Sequence, residues 1–197
     1  MDKRTDEELL CAYRDGRSDA LRPLIERYRA QLFNFLVRFL GNRAAAEDVF
    51  QEAFLQVHIS ADSFDASRKF KPWLFTIAAN KGRDWLRKNR RQVTLDLSAP
   101  LSGDAGKGEF IDLLEGPSPE PGSDMNNEEL TAQVRSAVDS MPDHLREILV
   151  LAYFQRFNYN QIAEVLDIPL GTVKSRLHSA VATFKRIWDD RNPAESS

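Results

Sequence analysis

The sequence predicts an all-α protein: two small helical domains joined by a flexible acidic linker, the C-terminal domain carrying a helix-turn-helix. Three observations carry that prediction. Apolar residues recur at three- and four-residue steps on both sides of the midpoint, and no run alternates convincingly like a strand. Between them, Gln92 to Asp124 holds Pro100, Pro117, Pro119 and Pro121 with Gly103, Gly106, Gly108, Gly116 and Gly122, a composition that buries little. Finally, QIAEVLDIPLGTVKSRLHSA, from Gln161 to Ala180, sets an amphipathic run and a basic one on either side of a short turn. The expected organisation is 1–91, a helical domain; 92–124, the linker; 125–191, the helix-turn-helix domain; and 192–197, a tail.

Each element has its own signals. Thr5 and Glu8 have capping-box spacing ahead of Leu9 and Leu10, and Gly16 stops that first helix. Leu21, Leu24, Ile25, Tyr28, Leu32, Phe35, Leu36 and Phe39 mark a long amphipathic helix closed by Gly41-Asn42. A third helix is expected over 44–59. A fourth, with Pro72 in its first turn, is expected to run to about Arg90. After the linker, Leu130, Val134, Ala137, Val138 and Met141 form one apolar stripe, and Leu145, Ile148, Leu149, Ala152 and Tyr153 the next. Asn158 with Gln161 is a variant capping box opening the penultimate helix.

The formal net charge is −3, which argues against a nucleic-acid partner only on average; binding depends on local patches. Cys11 is the single cysteine, so no intramolecular disulfide forms, and a reducing compartment is expected. The N-terminus MDKRTDEELL is too charged for a signal peptide, and the longest apolar run, Ile148 to Phe154, is too short to cross a bilayer. A cytoplasmic protein without membrane insertion is expected. His58, His144 and His178 are scattered without cysteines, and no nucleophile–base motif is readable. No metal, cofactor or catalytic residue is therefore expected. The segment GDAGKGE lacks the spacing and context of a phosphate loop.

Three surfaces carry chemistry. On the last helix, Val173, Leu177, Ala180, Val181, Phe184 and Trp188 gather on one side, at ~100° per residue. The candidates for contact with a DNA major groove are Thr172, Lys174, Ser175, Arg176, His178 and Arg186. The other reading of this stretch is a helical hairpin with an ordinary solvated face. The second surface is FKPWLFTIAANKGRDWLRKNRR, Phe70 to Arg91, in which seven bases oppose one acid, Asp84. Its core face is read as Leu74, Phe75, Ala78, Gly82, Trp85 and Leu86. Its candidates for unpaired nucleic acid are Trp73, Asn80, Lys81, Arg83, Arg87 and Arg90. Trp73 either offers a face to an unstacked base or packs under the preceding loop. The third is AEDVFQEAFLQVHI, Ala46 to Ile59. There Asp48, Gln51 and Glu52 surround Leu55 and Ile59 on the face away from Val49, Phe50, Ala53, Phe54 and Val57. Apolar residues ringed by acid and amide suggest a protein interface, although lone surface leucines are common.

These three segments, in this order and split by a linker, resemble the extracytoplasmic-function (group IV) sigma factors of bacteria over nearly the whole chain. AEDVFQEAFLQV resembles the polymerase-clamp-binding helix of the family, FKPWLFTIAANKGRDWLRKNRR its −10 recognition and strand-opening helix, and MPDHLREILVLAYFQRFNYNQIAEVLDIPLGTVKSRLHSA its −35-binding domain. The resemblance implies an alternative sigma factor without catalysis of its own. It would bind core RNA polymerase through Asp48, Gln51, Glu52 and Leu55. It would also dock the last helix on −35 duplex and hold the −10 element of promoter DNA open. It further implies that the loop Ser60 to Lys69 accepts a flipped base, and that an anti-sigma factor is a partner. Departures from the family pattern are His58 in place of an aromatic, Ser179 in place of an arginine, and Asp167 in place of the turn glycine, where Asp tolerates the left-handed conformation better than most residues. The rival classes are a stand-alone helix-turn-helix regulator, which leaves the face around Leu55 without a role, and an RNA-binding or scaffolding helical protein.

Overall fold

The computed structural model describes residues 3–95 and 125–192, so most of the expected linker and all but the first residue of the expected tail lie outside the described residues. Among the described residues every regular element is helical.

Helix α1 (Asp6–Arg14) begins with the expected capping box. Thr5 N–H donates to Glu8 Oε2 at 2.8 Å, and Glu8 N–H donates to Thr5 Oγ1 at 3.2 Å. After Gly16, at φ 95°, a short 3₁₀ turn (Ser18–Ala20) leads into α2 (Leu21–Leu40). Gly41 ends α2 at φ 66°, a left-handed geometry that side chains with a Cβ rarely adopt, and its N–H reaches Val37 O at 2.9 Å. Asn42 then caps α3 (Arg43–Ser60) by accepting the Ala45 N–H at 2.9 Å.

Helix α4 (Phe70–Leu95) runs further than the expected stop near Arg90. A residue of α1 supports its start: Glu7 accepts the Phe70 N–H at 3.1 Å, supplying an acceptor to one of the amides a helix start leaves unpaired. Helices α2 and α4 cross closely at Gly82, where an added Cβ would lie 2.7 Å from Phe39 Cε1. That approach lets Leu24, Leu32, Phe35 and Phe39 of α2 meet Phe70, Leu74, Phe75 and Ala78 of α4 in one buried core.

The C-terminal bundle comprises α5 (Met125–Asp139), α6 (Asp143–Leu149), α7 (Tyr159–Leu166) and α8 (Leu170–Arg191). The expected Asn158–Gln161 capping box is present in both directions, at 2.9 and 3.0 Å. Asp167 adopts φ 52° and closes α7 in the left-handed region. Val173, Leu177 and Ala180 of α8 bury against Ile148, Leu151, Ile162 and Val165. At the far end, Arg191 donates to Ser136 Oγ at 2.7 Å and Ser140 Oγ at 2.6 Å, tying α8 to α5.

Several expected core residues sit elsewhere. Helix α6 continues into a π-helical turn, Val150–Phe154, whose wider winding rotates the chain away from the 3.6-residue period. Val150 and Leu151 are consequently buried while Tyr153 is 61% exposed. On α8 the buried seam is Val173, Leu177 and Ala180, continued by the half-buried Phe184 and Ile187, and Val181 falls one step off it, exposed. This 3.5-residue seam is narrower than a full amphipathic face. Leu130 is also exposed, and Trp85 and Leu86 are half-buried rather than enclosed.

The two bundles are not separate bodies: their buried residues form one continuous cluster. Phe157, after the π turn, meets Phe75 of α4 edge-on with ring centres 5.0 Å apart, and the Lys71 ammonium sits 4.7 Å above the Phe157 ring. The Arg38 guanidinium of α2 lies 4.5 Å above Phe154.

Candidate nucleic-acid interface

Helix α3 presents one face to solvent. Val49, Ala53 and Val57 are buried, which turns Asp48, Gln51 and Glu52 outward. Leu55 and Ile59 share that outward side and are 58% and 64% exposed. An open groove runs beside this face between α2 and α3, lined by Ile25, Phe33, Phe50, Glu47 and Gln51 among others. His58, on the same exposed side, is hydrogen-bonded through Nδ1 to the Tyr13 hydroxyl, so it serves to pin α3 to α1.

At the C-terminal bundle, α7, the turn at Asp167 and α8 form the helix-turn-helix. Lys174, Ser175 and His178 are exposed and Thr172 is partly so, all within the first turns of α8. Ser175 Oγ donates to Thr172 O at 3.1 Å, leaving its lone pairs toward solvent. Beside them an open cleft of about 460 Å³ is lined by Asn158, Tyr159, Asn160, Leu170 and Lys174. Tyr159, at the start of α7, is exposed there too; as the first residue after a cap it carries no periodic signal in the sequence. Arg176 is half-buried, and its charge acts on Glu147 of α6. Arg186 is exposed but lies about 24 Å along the axis from the helix start, at 1.5 Å per residue. It is not part of the cluster at the N-terminal turns.

The basic helix α4 is more constrained than its sequence implied. Trp73 is half-buried, tilted against Phe64 of the preceding loop at 4.8 Å and against Phe70 at 5.9 Å. The indole thus packs under the loop and is only partly exposed. That loop is itself ordered by Asp65, whose carboxylate accepts the Ser67 N–H at 2.9 Å; this bond holds its pKa below the ordinary value.

Each of the four cations expected to meet single strand, Lys81, Arg83, Arg87 and Arg90, lies beside a carboxylate. Arg87 pairs with Asp84 at 2.7 Å, and Lys81 lies 4.0 Å from Glu52 of α3. Arg83 donates through Nη2 to Asn80 and through Nη1 to Glu147 at 2.9 Å, and Arg90 reaches Asp143 at 2.6 Å. Glu147 and Asp143 belong to α6, so two of these four pairs join the bundles. In the cleft between them, about 350 Å³ and lined by Phe39, Leu86, His144 and these charges, Glu147 is almost fully buried. Burial raises its pKa to about 7, against the opposing pull of Arg83. Arg68 of the loop likewise pairs with Glu164 of α7. The partners on α6 and α7 are not legible in the sequence, because residues 53 to 96 positions apart share no periodic pattern.

No helix among the described residues is long and apolar enough to cross a membrane. The sigma-70 region 2 family model matches residues 24–92, and a sigma-70 region 4 model matches residues 131–184. The ECF RNA polymerase sigma factor SigW of Bacillus subtilis is 35% identical over 164 residues, 83% of this chain and 86% of its own length. The RNA polymerase sigma-H factor of Pseudomonas aeruginosa is 31% identical over 176 residues, 89% of each chain. Among solved structures, the sigma factor RpoE of Bartonella quintana, in complex with the anti-sigma factor NepR, superposes with a TM-score of 0.65 at 22% identity, covering 85% of this chain and 95% of that one. That likeness speaks to the fold. The two region matches in order, together with the extent of the sequence identity, decide the family: the chain belongs to the extracytoplasmic-function sigma factors of RNA polymerase.

Proposed function

We propose that this chain is an alternative sigma factor that binds core RNA polymerase and directs promoter-specific initiation, acting in the cytoplasm and without catalysis of its own. The observation that carries the reading is the outer face of α3: Leu55 and Ile59, more than half exposed, surrounded by Asp48, Gln51 and Glu52. A regulator acting alone on duplex DNA has no use for that face, whereas a polymerase subunit buries it. On α8, Thr172, Lys174, Ser175, Arg176 and His178 face the −35 duplex, a recognition helix contacting base edges with its N-terminal residues. Arg186, further along, is suited to a phosphate at most.

On α4, Trp73 and Asn80 are seven residues apart on one side of the helix and meet the −10 strand after it has left its stack. Lys81, Arg83, Arg87 and Arg90 supply charge for its phosphates. An anti-sigma factor is the expected regulator. The test is footprinting of promoter DNA by the chain with and without core polymerase. Protection that requires both proteins supports this function; equal protection by the chain alone supports a stand-alone regulator instead.

A further inference from the structure

A pocket that belongs to none of the three surfaces above lies where α5 and the π turn meet α2. We propose that it binds a small amphipathic monoanion, an aliphatic carboxylate, with the head group beside Arg38 and Arg135 and the chain along Leu130, Val134, Val138 and Phe154. This site does not depend on the function proposed above.

The first argument is charge. Arg38 is half-buried, and its guanidinium sits 4.5 Å above the Phe154 ring. Among the described residues it makes no ion pair and no side-chain hydrogen bond. A ring offsets part of the charge but accepts no conventional hydrogen bond from the five N–H donors. Burial, and then the like charge of Arg135, push the Arg38 pKa below its ordinary value. The cation is thus held in an environment that an anion would relieve. A guanidinium takes a carboxylate through two parallel N–H donors, a match of shape as well as charge. One acid, Asp139, also lines the pocket, but it is exposed and screened by water. Two cations against one acid leave a single positive charge, which suits a monoanion better than a phosphate dianion.

The second argument is shape. The four apolar residues form most of the wall, and Leu130 and Phe154 are 47% and 39% exposed, so apolar surface stands open for a chain to cover. The volume is about 290 Å³. An apolar cavity of about 150 Å³ takes up benzene, so roughly twice that volume suits a chain of about eight carbons with its head group. A neutral chain in the same place would desolvate Arg38 further without pairing it, so the charge decides between occupants.

The experiment is isothermal titration calorimetry of the full chain with sodium octanoate, and with 1-octanol as the neutral analogue of equal chain length. Octanoate is expected to bind at one site per chain, at least about tenfold more tightly than octanol. Arg38→Gln should bring octanoate down to the affinity of octanol. Leu130→Trp should fill the mouth of the pocket and weaken octanoate at least about tenfold. Leu130 is half-exposed and outside the buried core, so this second variant keeps the test available should Arg38→Gln melt early. Absence of octanoate binding in the millimolar range overturns the proposal, as does unchanged octanoate affinity in Leu130→Trp. Octanol binding as tightly as octanoate also overturns it, and would make the pocket a seat for a neutral group such as a partner protein's aliphatic side chain.

Discussion

Replacing Leu55 probes the polymerase face with little disturbance of the fold. Fully burying a leucine side chain is worth about 1.5–3 kcal/mol. With 58% of Leu55 exposed, roughly 1–2 kcal/mol of that remains to be gained when a partner covers it. Leu55→Ala forfeits most of this and should weaken binding of core polymerase by about 1 kcal/mol, or some five- to tenfold. Leu55→Glu should go further, because it places a third carboxylate beside Asp48 and Glu52 and buries a charge in the interface. Neither change creates a cavity, so stability should move by no more than about 0.5 kcal/mol. Fluorescence anisotropy of a labelled chain titrated with core polymerase gives the affinity, and thermal melts give the stability. Unchanged affinity for both variants, or a melting point lowered by several degrees in Leu55→Ala, would refute the argument that this face is an interface.

Lys174→Ala should cost roughly 1–3 kcal/mol in duplex binding if the ammonium reads a base edge, while Arg186→Ala should cost less because it lies far from the helix start; fixed-salt titrations on a set of duplexes distinguish them. Trp73→Ala should reduce strand opening, read by permanganate reactivity of −10 thymines. It should also lower stability by about 1–2 kcal/mol through loss of its contacts with Phe64 and Phe70, whereas Trp73→Phe keeps part of both. Glu147 carries a pH signature. Its pKa of about 7 in the fold exceeds the ordinary 4.5, so between those values the folded chain keeps a proton that the unfolded chain has lost, and stability falls as pH rises. The fall is on the order of 3 kcal/mol across the window, felt against Arg83 of α4, Arg176 of α8 and the neighbouring Asp143. Glu147→Gln should flatten it, and melts at pH 5 and 8 showing the same dependence in both proteins would contradict the assignment.

What could be read in advance follows from the range of the forces involved. Both capping boxes, the Gly41 stop and the left-handed Asp167 depend on three or four neighbouring residues, and the structure has each of them. The outward Leu55 was legible for a related reason: α3 keeps an unbroken 3.6-residue period from Val49 to Val57, so a wheel places its faces correctly. Tyr153 lies outside the core that its periodicity predicts because a π turn breaks that period, and nothing in VLAYF announces one. The basic stretch of α4 reads in the sequence as available charge because three of its four pairing acids, Glu147, Asp143 and Glu52, lie on other helices. Arg83 seen alone is a cation awaiting phosphate; in the fold it is a strut between two bundles. For Trp73 the sequence allows two readings, and the fold shows the packing of the second, against Phe64 and Phe70, with the residue half-buried.

The central claim is that this chain gives RNA polymerase a promoter. Core polymerase is mixed with the full chain and a library of genomic fragments, and the 5′ ends of the transcripts are sequenced. The account predicts start sites absent with core polymerase alone, sharing two short upstream motifs at a fixed spacing near −35 and −10, and lost with Leu55→Glu. Transcripts no more abundant or better defined than those of core polymerase alone would contradict it.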